Sequence, residues 1–457
     1  MTARDVDVVV IGLGPGGEYA AQKFAEAGLT VIGVDKGLVG GECPFYGCIP
    51  SKMMIRAADT LAEARRAQTL AGEIDVRPDW SLVAQRIDRQ ATNHWDDSSH
   101  VERLTEAGVE VLRGTGRLDG PGRVLVDGTD GSRHELVAGR GVVLNAGTMP
   151  ATPPIEGLAD TPYWTNREVV RLAELPESLA VIGGGPIGCE LAQAFARFGV
   201  HMTVLEVADR ILGPEEPESA AVIHGVLSAE GIDIRTGVRI ARVSHDGSFH
   251  LDLGDEVVTA DQLLVAAGRR PQLSGIGLGT VGLSEDLKVV ETDERLRAAE
   301  RLWAVGDITG KGQFTHISMY QAAVVVRDIL GEDGPWADYR AVSRVTFTDP
   351  EVGSVGMSEH QARAAGLAVV TSVVEIPESS RGWIHQAGNE GIIKLVADAE
   401  RMVLVGATAV APSGGEVLGL LAAAVHAEIP VATLRTMHFA YPTFHRAIEV
   451  ALERLDR

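Results

Sequence analysis

Two cysteines, Cys43 and Cys48, stand five residues apart in the segment Gly40–Lys52, at the expected start of a helix. At that spacing a disulfide can form with modest distortion, and a helix N-terminus together with Lys52 favours a thiolate at Cys48. Two inert buried cysteines, or half of a metal site, are the alternatives. Metal sites usually need a second ligand pair, and the third cysteine, Cys189, is remote in sequence. The pair therefore predicts thiol–disulfide redox chemistry, and no metal site is predicted.

A glycine-rich turn near the N-terminus has the spacing of a dinucleotide-binding fingerprint. The apolar strand Val6–Ile11 leads into Gly12-x-Gly14-x-x-Gly17, and the acid Asp35 closes the next strand. Glycines at these positions allow a tight turn and a close approach of backbone N–H groups to a pyrophosphate at a helix N-terminus. The acid can accept hydrogen bonds from a ribose diol. A purely structural turn is the alternative, but the strand, helix and acid at this spacing favour nucleotide binding.

The same fingerprint recurs in the middle of the chain. Gly183-x-Gly185-x-x-Gly188 follows a second apolar strand, and Glu206 stands at the position that corresponds to the first acid. A carboxylate there suits an unphosphorylated ribose and repels a 2′-phosphate, so NADH is predicted in preference to NADPH. Arg210, four residues further on, could weaken this preference. Two copies of one unit predict two separate nucleotide-binding domains.

The elements around the fingerprints have a regular order. Helices are expected at about Gly17–Ala27 and from the second glycine turn to Phe198, and helical spacing also spans Trp80–Gly108. Short strands with glycine turns are expected at Val109–Val126. Further buried strands are expected at 141–145 and 261–267.

The chain changes character from about Val342. Thr346–Pro350 and Gly391–Gly406 alternate as antiparallel strands do, an apolar helix is expected at Glu416–His426, and a last helix after Pro442. This pattern predicts an α+β domain of about 115 residues.

Composition limits the classes of function. The 457 residues are 45% hydrophobic and 23% charged, as in ordinary globular proteins, and suggest about three domains at roughly 150 residues each. The net charge of −22 argues against a nucleic-acid partner. No signal region is evident, and apolar stretches such as Val417–Val425 are too short to span a bilayer. We therefore expect a cytoplasmic protein that acts on a small molecule, without a membrane or nucleic-acid partner.

Together with further motifs, these features resemble a known family over essentially the whole chain. The additional motifs are Ala266–Pro271, Leu302–Asp307, Phe347–Val352 and Tyr441-Pro442-Thr443. The sequence resembles the class I pyridine nucleotide–disulfide oxidoreductases, which include dihydrolipoamide dehydrogenase, glutathione and mycothione reductases, mercuric reductase and soluble transhydrogenase. The resemblance implies an α/β fold with two Rossmann-like domains and a C-terminal α+β dimerisation domain, and thus a homodimer active in cell redox homeostasis. The implied boundaries are 1–150 and 270–336 for the FAD-binding domain, 151–269 for the inserted NAD(P)-binding domain and 337–457 for the dimerisation domain.

The resemblance also assigns roles to residues. It implies that Cys48 is the thiolate stacked on the flavin, that Cys43 attacks the substrate, and that Lys52 lies near flavin N5 and pairs with Glu190. Asp307 would hold the ribityl chain or the pyrophosphate. Further FAD contacts are implied at Gly41, Gly116, Ala146, Gly147, Thr148, Arg269, Phe314, Thr315 and His316. Further NAD contacts are implied at Ile187, Glu190, Val238 and Gly268.

The sequence departs from the disulfide-reducing members at their acid–base pair. Those proteins end in His-Pro-Thr followed by a Glu, supplied by the partner subunit. Here Tyr441 takes the place of the His and Arg446 that of the Glu. A phenol with a pKa near ~10 is poorly matched to proton exchange with a thiol at neutral pH. His438 or His445 could substitute, although a surface role is more common for such a histidine.

Smaller departures lie in two other segments. Glu42 replaces a Thr at a place where a phosphate is expected, and Phe45 and Tyr46 are bulkier than the usual residues. They either narrow the substrate access or, as we expect, pack against the flavin pocket. Ser380–His385 is polar and aromatic and looks like a loop that either contributes to a partner-subunit site or is an exposed turn.

Three hypotheses follow for the function. The first is a dihydrolipoamide dehydrogenase-like enzyme that passes hydride between NADH and a disulfide-type acceptor through FAD and the Cys43–Cys48 disulfide, with Tyr441 among the catalytic residues. The second keeps both nucleotides but uses a quinone, a metal ion or a second nicotinamide nucleotide as acceptor, because the usual acid–base pair is missing. The third is a flavoprotein sensor whose redox state controls a partner. The first is the prediction.

Overall fold

A computed structural model describes residues 3–455 of the chain. The chain divides into two compact units. The first unit comprises Met1–Pro50, Gln85–Pro150 and Arg269–Asp338. The second comprises Ser51–Ala84, Ala151–Gly268 and Tyr339–Arg457. The domain boundaries expected from the sequence remain predictions.

Helices and strands alternate through most of the chain. The helices are α1 (Pro15–Glu26), α2 (Glu42–Phe45), α3 (Cys48–Leu70), α4 (Trp80–Arg86), α5 (Ser98–Glu106), α6 (Asn166–Val169), α7 (Pro186–Arg197), α8 (Pro217–Ala229), α9 (Thr315–Leu330), α10 (Glu359–Ala364), α11 (Ser380–His385), α12 (Gly414–His426), α13 (Val431–Leu434) and α14 (Arg446–Arg454). The strands are β1 (Arg4–Ile11), β2 (Val31–Asp35), β3 (Val109–Leu118), β4 (Arg123–Gly128), β5 (Arg133–Leu144), β6 (Thr148–Pro150), β7 (Ser178–Ile182), β8 (His201–Leu205), β9 (Asp233–Arg235), β10 (Arg242–His245), β11 (Phe249–Asp252), β12 (Val257–Ala260), β13 (Gln262–Val265), β14 (Arg269–Pro271), β15 (Arg297–Ala299), β16 (Leu302–Ala304), β17 (Ser343–Thr346), β18 (Glu351–Gly356), β19 (Val369–Glu375), β20 (Ile392–Asp398) and β21 (Val403–Ala411).

The first unit is built on a parallel sheet in the order β3-β2-β1-β5-β16. The antiparallel strand β4 joins the ends of β3 and β5, and β15 extends the other edge. Apolar residues of β1 and β5 are fully buried because helices α1 and α9 cover one face of the sheet. Strand β2 lies on one side of β1 and β5 on the other, so the strand order reverses at β1. Nucleotide sites of α/β proteins lie at such a switch point.

The second unit contains a parallel sheet, β13-β7-β8-β9, beside the antiparallel sheet β10-β11-β12. Its C-terminal part is the antiparallel sheet β17-β18-β21-β20-β19, against which α12 and α14 pack their apolar faces. The predicted mixed α/β class with an α+β C-terminal region is confirmed.

Most predicted elements are present, and three differ. The chain forms a strand only up to Thr346, and Phe347–Pro350 is a turn rather than the predicted strand, because side chains of α7 bind its backbone. The region Trp80–Gly108 is broken into α4, a π-helical turn and α5. Ser380–His385 is helix α11 and not a loop, because Ser379 caps it by accepting the Gly382 N–H at 3.0 Å.

Candidate active site

The first glycine turn forms a bare helix N-terminus at the carboxyl end of β1. Gly12 has a φ of +93°, and a Cβ on Gly17 would lie 1.9 Å from the Gly12 carbonyl oxygen, so neither position accepts a side chain. Gly14 is the N-cap of α1, and no side chain caps the helix. The first-turn N–H groups therefore face outward without a side-chain acceptor, as a bound pyrophosphate requires.

Asp35 is fixed beside this turn. Its two carboxylate oxygens accept the N–H of Leu13 at 2.6 Å and the N–H of Gly37 at 2.7 Å. Burial raises the pKa of Asp35 above its ordinary value, while these two hydrogen bonds oppose the shift. The carboxyl group therefore stands at the end of β2 with a defined orientation, in the position of a ribose acceptor.

Asp307 ends a second hydrogen-bond network in the same unit. The Thr148 hydroxyl donates to Asp307 at 2.5 Å, and the Arg269 guanidinium donates to the Thr148 hydroxyl and carbonyl at 2.7 and 3.0 Å. Arg269 also lies 3.4 Å from the Glu42 carboxylate. Burial raises the pKa of Asp307. The unexpected acid at Glu42 is thus compensated by a cation of the same network.

The two cysteines are adjacent thiols at helix ends. Cys43 lies in α2, Cys48 begins α3, and both are free cysteines in this structure. The side-chain hydrogen bond with Cys48, reinforced by burial, raises the pKa of Cys43. The Thr315 hydroxyl, at the start of α9, lies 3.5 Å from Cys48 Sγ. The Cys43 thiol is therefore held in its protonated form, as a hydrogen-bond donor to Cys48.

Phe45, one of the two bulky residues between the cysteines, has a packing role. Phe45 is only 2% exposed, and its ring contacts the His100 ring at 5.6 Å. The Trp95 indole donates to the Phe45 carbonyl at 3.2 Å. His100 is in turn bound to the buried Glu18, with Nδ1 2.9 Å from the carboxylate. Phe45 therefore supports the cysteine loop from beneath. No sequence pattern indicated the His100–Glu18 contact.

The remaining residues implied for FAD lie in the first unit beside these groups. Gly147 has a φ of +67°, and nothing lies within 4 Å of the position that a Cβ would take there, so its surroundings are open. The Phe314 and His316 rings are stacked at 5.3 Å. The others are distributed over the turn before α2, strand β3 and the segment after β5, namely Gly41, Gly116 and Ala146. The glycine cradle, the two acids and the open turns fit FAD.

The second glycine turn repeats the first within the second unit. Gly183 has a φ of +112°, and a Cβ on Gly188 would lie 2.0 Å from the Gly183 carbonyl oxygen. Gly185 is the N-cap of α7, again without a side-chain cap, and nothing lies within 4 Å of the Cβ it lacks. Ile187 lies in the first turn of that helix, and Gly268 follows β13. This cradle fits the pyrophosphate of a nicotinamide nucleotide.

Glu206 follows β8 with both carboxylate oxygens bound by the backbone. It accepts the N–H of Gly184 at 2.6 Å and that of Ala208 at 2.8 Å, and its own carbonyl accepts the Val238 N–H at 3.1 Å. Arg210 donates to the Gly213 carbonyl at 2.7 Å. The Arg210 guanidinium is thus bound by carbonyls of its own loop.

Lys52 and Glu190 form the ion pair that the resemblance implies. Lys52 Nζ lies 2.7 Å from Glu190 Oε2 and 4.5 Å from the centre of the Phe347 ring. The other oxygen of the buried Glu190 accepts the Phe347 N–H at 2.8 Å. Since Phe347 contacts both partners, the ammonium group is held between a carboxylate and an aromatic face.

A second ionic cluster lies two helical turns along α7 from Glu190, and no sequence motif indicated it. The buried Arg197 donates to Asp59 at 2.6 Å, to Glu230 at 2.7 Å and to Asp349 at 2.8 Å. The Gln193 side chain binds both the N–H and the carbonyl of Asp349, at 2.8 and 2.9 Å. The available signal was the spacing of seven residues that separates Lys52 from Asp59 and Glu190 from Arg197.

Tyr441 is on the surface of the C-terminal part, 67% exposed. The Arg446 guanidinium lies 5.5 Å from the Tyr441 ring and binds Glu449 at 2.8 Å. His438 is exposed, and His445 is half-buried immediately before α14. The described residues of this unit do not bring either histidine to a carboxylate within ion-pairing distance, so a substitute for the missing acid–base pair stays a prediction. Tyr441 and the 71%-exposed Trp383 line a groove of about 370 Å³.

The comparisons with known proteins cover almost the whole chain. The family model described as pyridine nucleotide-disulphide oxidoreductase matches residues 6–323, and that of the family's dimerisation domain matches residues 342–452. A mercuric reductase of Acidithiobacillus ferrooxidans is 32% identical, over 99% of this chain and 83% of that protein. A dihydrolipoyl dehydrogenase of Halobacterium salinarum is also 32% identical, over 98% of this chain and 95% of that protein.

Solved structures agree with this similarity. LpdA from Mycobacterium tuberculosis superposes with a TM-score of 0.87 at 27% identity, covering 98% of this chain and all of that chain. A Cu(II) complex of the HOCl-induced flavoprotein disulfide reductase RclA from Escherichia coli gives a TM-score of 0.86 at 26% identity, covering 99% of both chains. The protein therefore belongs to the pyridine nucleotide-disulphide oxidoreductase family.

Proposed function

We propose that this flavin-dependent oxidoreductase uses NADH and the Cys43–Cys48 pair to reduce or oxidise a disulfide-type acceptor. The observation that carries the proposal is the asymmetry of the pair. Cys48 begins helix α3 and faces the Thr315 hydroxyl, whereas the pKa of Cys43 is raised by its hydrogen bond with Cys48 and by burial. One sulfur is thus suited to be a stable thiolate and the other to be a thiol that exchanges with substrate.

FAD, when bound, would supply the two-electron carrier between the nicotinamide nucleotide and the cysteine pair. The chain's own residues prepare the site for this exchange. The bare N-termini of α1 and α7 would hold the two pyrophosphates, and Asp35 and Asp307 would hold the ribose and ribityl parts of FAD. The Cys43 thiol keeps its proton by donating to Cys48. When its sulfur attacks a substrate disulfide, a mixed disulfide forms, the substrate S–S bond breaks, and the proton passes to the departing substrate sulfur.

NADH is the proposed nicotinamide nucleotide. The Glu206 carboxylate is held by two backbone N–H groups and retains two unshared directions in which it can accept hydrogen bonds from the ribose hydroxyls. The nearest basic side chain in sequence, Arg210, is occupied by backbone carbonyls. A 2′-phosphate would therefore meet an acid without a compensating cation from this loop.

A second acceptor class is favoured by one specific feature, the replacement of the usual acid–base pair by Tyr441 and Arg446. A quinone, a metal ion or a second nicotinamide nucleotide accepts electrons without needing that pair. The similar RclA structure is a Cu(II) complex, which is in line with a metal ion as acceptor.

The homodimer and the cytoplasmic location expected from the sequence belong to the same proposal. No described helix is both long and apolar enough to cross a bilayer.

Cys43→Ser tests the proposal. The variant should lose turnover of a disulfide such as lipoamide while NADH still bleaches the flavin absorbance, because hydride transfer precedes thiol exchange. Cys189→Ser is the matched control. Cys189 is buried in α7 with its thiol 3.3 Å from the Gly184 carbonyl, a contact that a serine retains. Full lipoamide turnover by Cys43→Ser would refute the proposed relay.

A further inference from the structure

Helices α3 and α7 face each other through two charged pairs with the same spacing. Lys52 and Asp59 are seven residues apart on α3, and Glu190 and Arg197 are seven residues apart on α7. Seven residues are about two turns, so Lys52 and Asp59 share one face of α3, and the two residues of α7 share one face of that helix. The contacts Lys52–Glu190 and Asp59–Arg197, at 2.7 and 2.6 Å, are therefore successive contacts between the two helices.

The turn at Phe347–Asp349 connects the two contacts. The Phe347 N–H and ring hold the Lys52–Glu190 pair, as described above. Asp349, two residues on, binds Arg197 at 2.8 Å and Arg66 at 2.7 Å. The Asp349 end of this turn is thus bound to both helices, two residues from the aromatic ring that contacts Lys52.

Arg197 joins α3 and the Phe347–Asp349 turn to α7. Its side chain is 3% exposed and reaches α3 through Asp59 and the turn through Asp349. A buried guanidinium with several carboxylate partners is fixed in orientation by its planar set of donors.

We propose that Asp59 and Arg197 are positioning residues for Lys52. This ion pair, which we call the clamp, holds α3 and the Phe347–Asp349 turn against α7. It thereby fixes the Lys52 ammonium group at its distance from Glu190. This rests on the proposed function and on the family resemblance, which implies that Lys52 lies near flavin N5.

The clamp is sensitive to the charge of Asp59. Burial raises the pKa of Asp59 to about 7, and the Arg197 charge opposes the rise. The other groups that act on this carboxyl are two acids that raise its pKa and one base that lowers it, Asp349, Glu351 and Arg56. Above pH 7 the carboxylate binds Arg197 as an ion pair, and below pH 7 the protonated acid binds it only weakly.

The test measures two properties of the FAD-loaded protein, the midpoint potential of the flavin in a dithionite titration and the rate of flavin reduction by NADH between pH 5.5 and 8.5. In the wild type the rate should rise with an inflection near pH 7. Asp59→Asn should lower the rate at pH 8 by about tenfold, as expected when a catalytic group loses its orientation, abolish that inflection and shift the potential. Arg197→Lys should retain a charge without the planar geometry and give an intermediate rate.

Glu63→Gln is the matched control. Glu63 is one turn beyond Asp59 on the same helix, is exposed and binds Arg66 rather than Arg197, and Arg66 keeps its own ion pair with Asp349 in the variant. It should leave the inflection and the potential as in the wild type. The proposal is overturned if Asp59→Asn lowers only the melting temperature, or if Glu63→Gln has the same effects. Because dithionite reduces flavin without NADH, a shifted potential with no NADH reaction would contradict the proposed function and leave the clamp supported.

Discussion

Glu206 is predicted to determine the choice between NADH and NADPH, and Glu206→Ala is the change that tests this most sharply. The substitution removes the carboxylate and releases the two backbone N–H groups, of Gly184 and Ala208, that now bind it. An acceptor of ribose hydroxyls is thereby replaced by two free donors. Two free donors near a helix N-terminus suit a phosphate group.

The magnitude follows from the two interactions that change. A hydrogen bond to an ionised group contributes about 1.5–3 kcal/mol, so its loss should raise the KM for NADH by roughly ten- to a hundredfold. Two unit charges about 4 Å apart repel by ~1 kcal/mol in water and ~4 kcal/mol near a protein surface. Because each 1.4 kcal/mol is about tenfold, relief of this repulsion should raise kcat/KM for NADPH at least about fivefold.

Anaerobic flavin reduction by each nucleotide, followed by stopped-flow absorbance, measures both changes in one preparation. The limiting rate with NADH should change little, because Glu206 contacts the ribose and not the nicotinamide. Glu206→Gln is the companion variant, since it keeps the shape of the side chain and removes only the charge; it should gain NADPH activity and lose less NADH affinity. Unchanged kinetics of Glu206→Ala with both nucleotides would refute the reasoning.

Three further predictions concern other parts of the chain. Tyr441→His should increase lipoamide turnover, measured by NADH oxidation, if an imidazole is what the disulfide-exchange site lacks; an unchanged rate would show that Tyr441 is not the obstacle. Arg197→Met should destabilise the protein by about 3–5 kcal/mol in a denaturant titration, because Asp59 and Glu230 lose a buried cation, whereas Arg77→Met, at an ion pair with Asp75 that is exposed on both sides, should change it by under about 1 kcal/mol. Because burial raises the pKa of Asp59, the folded state favours its protonated carboxyl over its carboxylate. The stability that results from this preference is present below about pH 4 and is lost as the pH rises through about 7. Melting temperatures from pH 4 to 8 should therefore fall less for Asp59→Asn than for the wild type, and parallel curves would contradict the assignment.

The nucleotide cradles could be predicted from sequence because their determinants are local. Gly12 and Gly17 approach each other across one turn, and the acid follows at the end of the next strand. A spacing rule captures such contacts without knowledge of the rest of the fold. The same holds for helix α12, because its apolar pattern alone indicated where it lies.

The contacts that depend on distant partners were not predictable in the same way. Arg197 and Asp59 are separated by 138 residues, and Asp349 lies 152 residues beyond Arg197. Nothing near Arg197 in sequence indicates a buried cation. The helix at Ser380–His385 was missed because its capping residue, Ser379, lies just outside the segment that looked like a loop.

The Cys43–Cys48 relay is the central claim, and the ratio of lipoamide to quinone turnover by wild type and Cys43→Ser tests it most directly. NADH oxidation is measured with each acceptor in the same preparation of the FAD-loaded protein. The account predicts that wild type reduces lipoamide faster than the quinone and that Cys43→Ser loses the lipoamide reaction while keeping flavin reduction by NADH. Equal or faster quinone turnover by wild type, unaffected by Cys43→Ser, would contradict it and assign the electrons a path that bypasses the thiols.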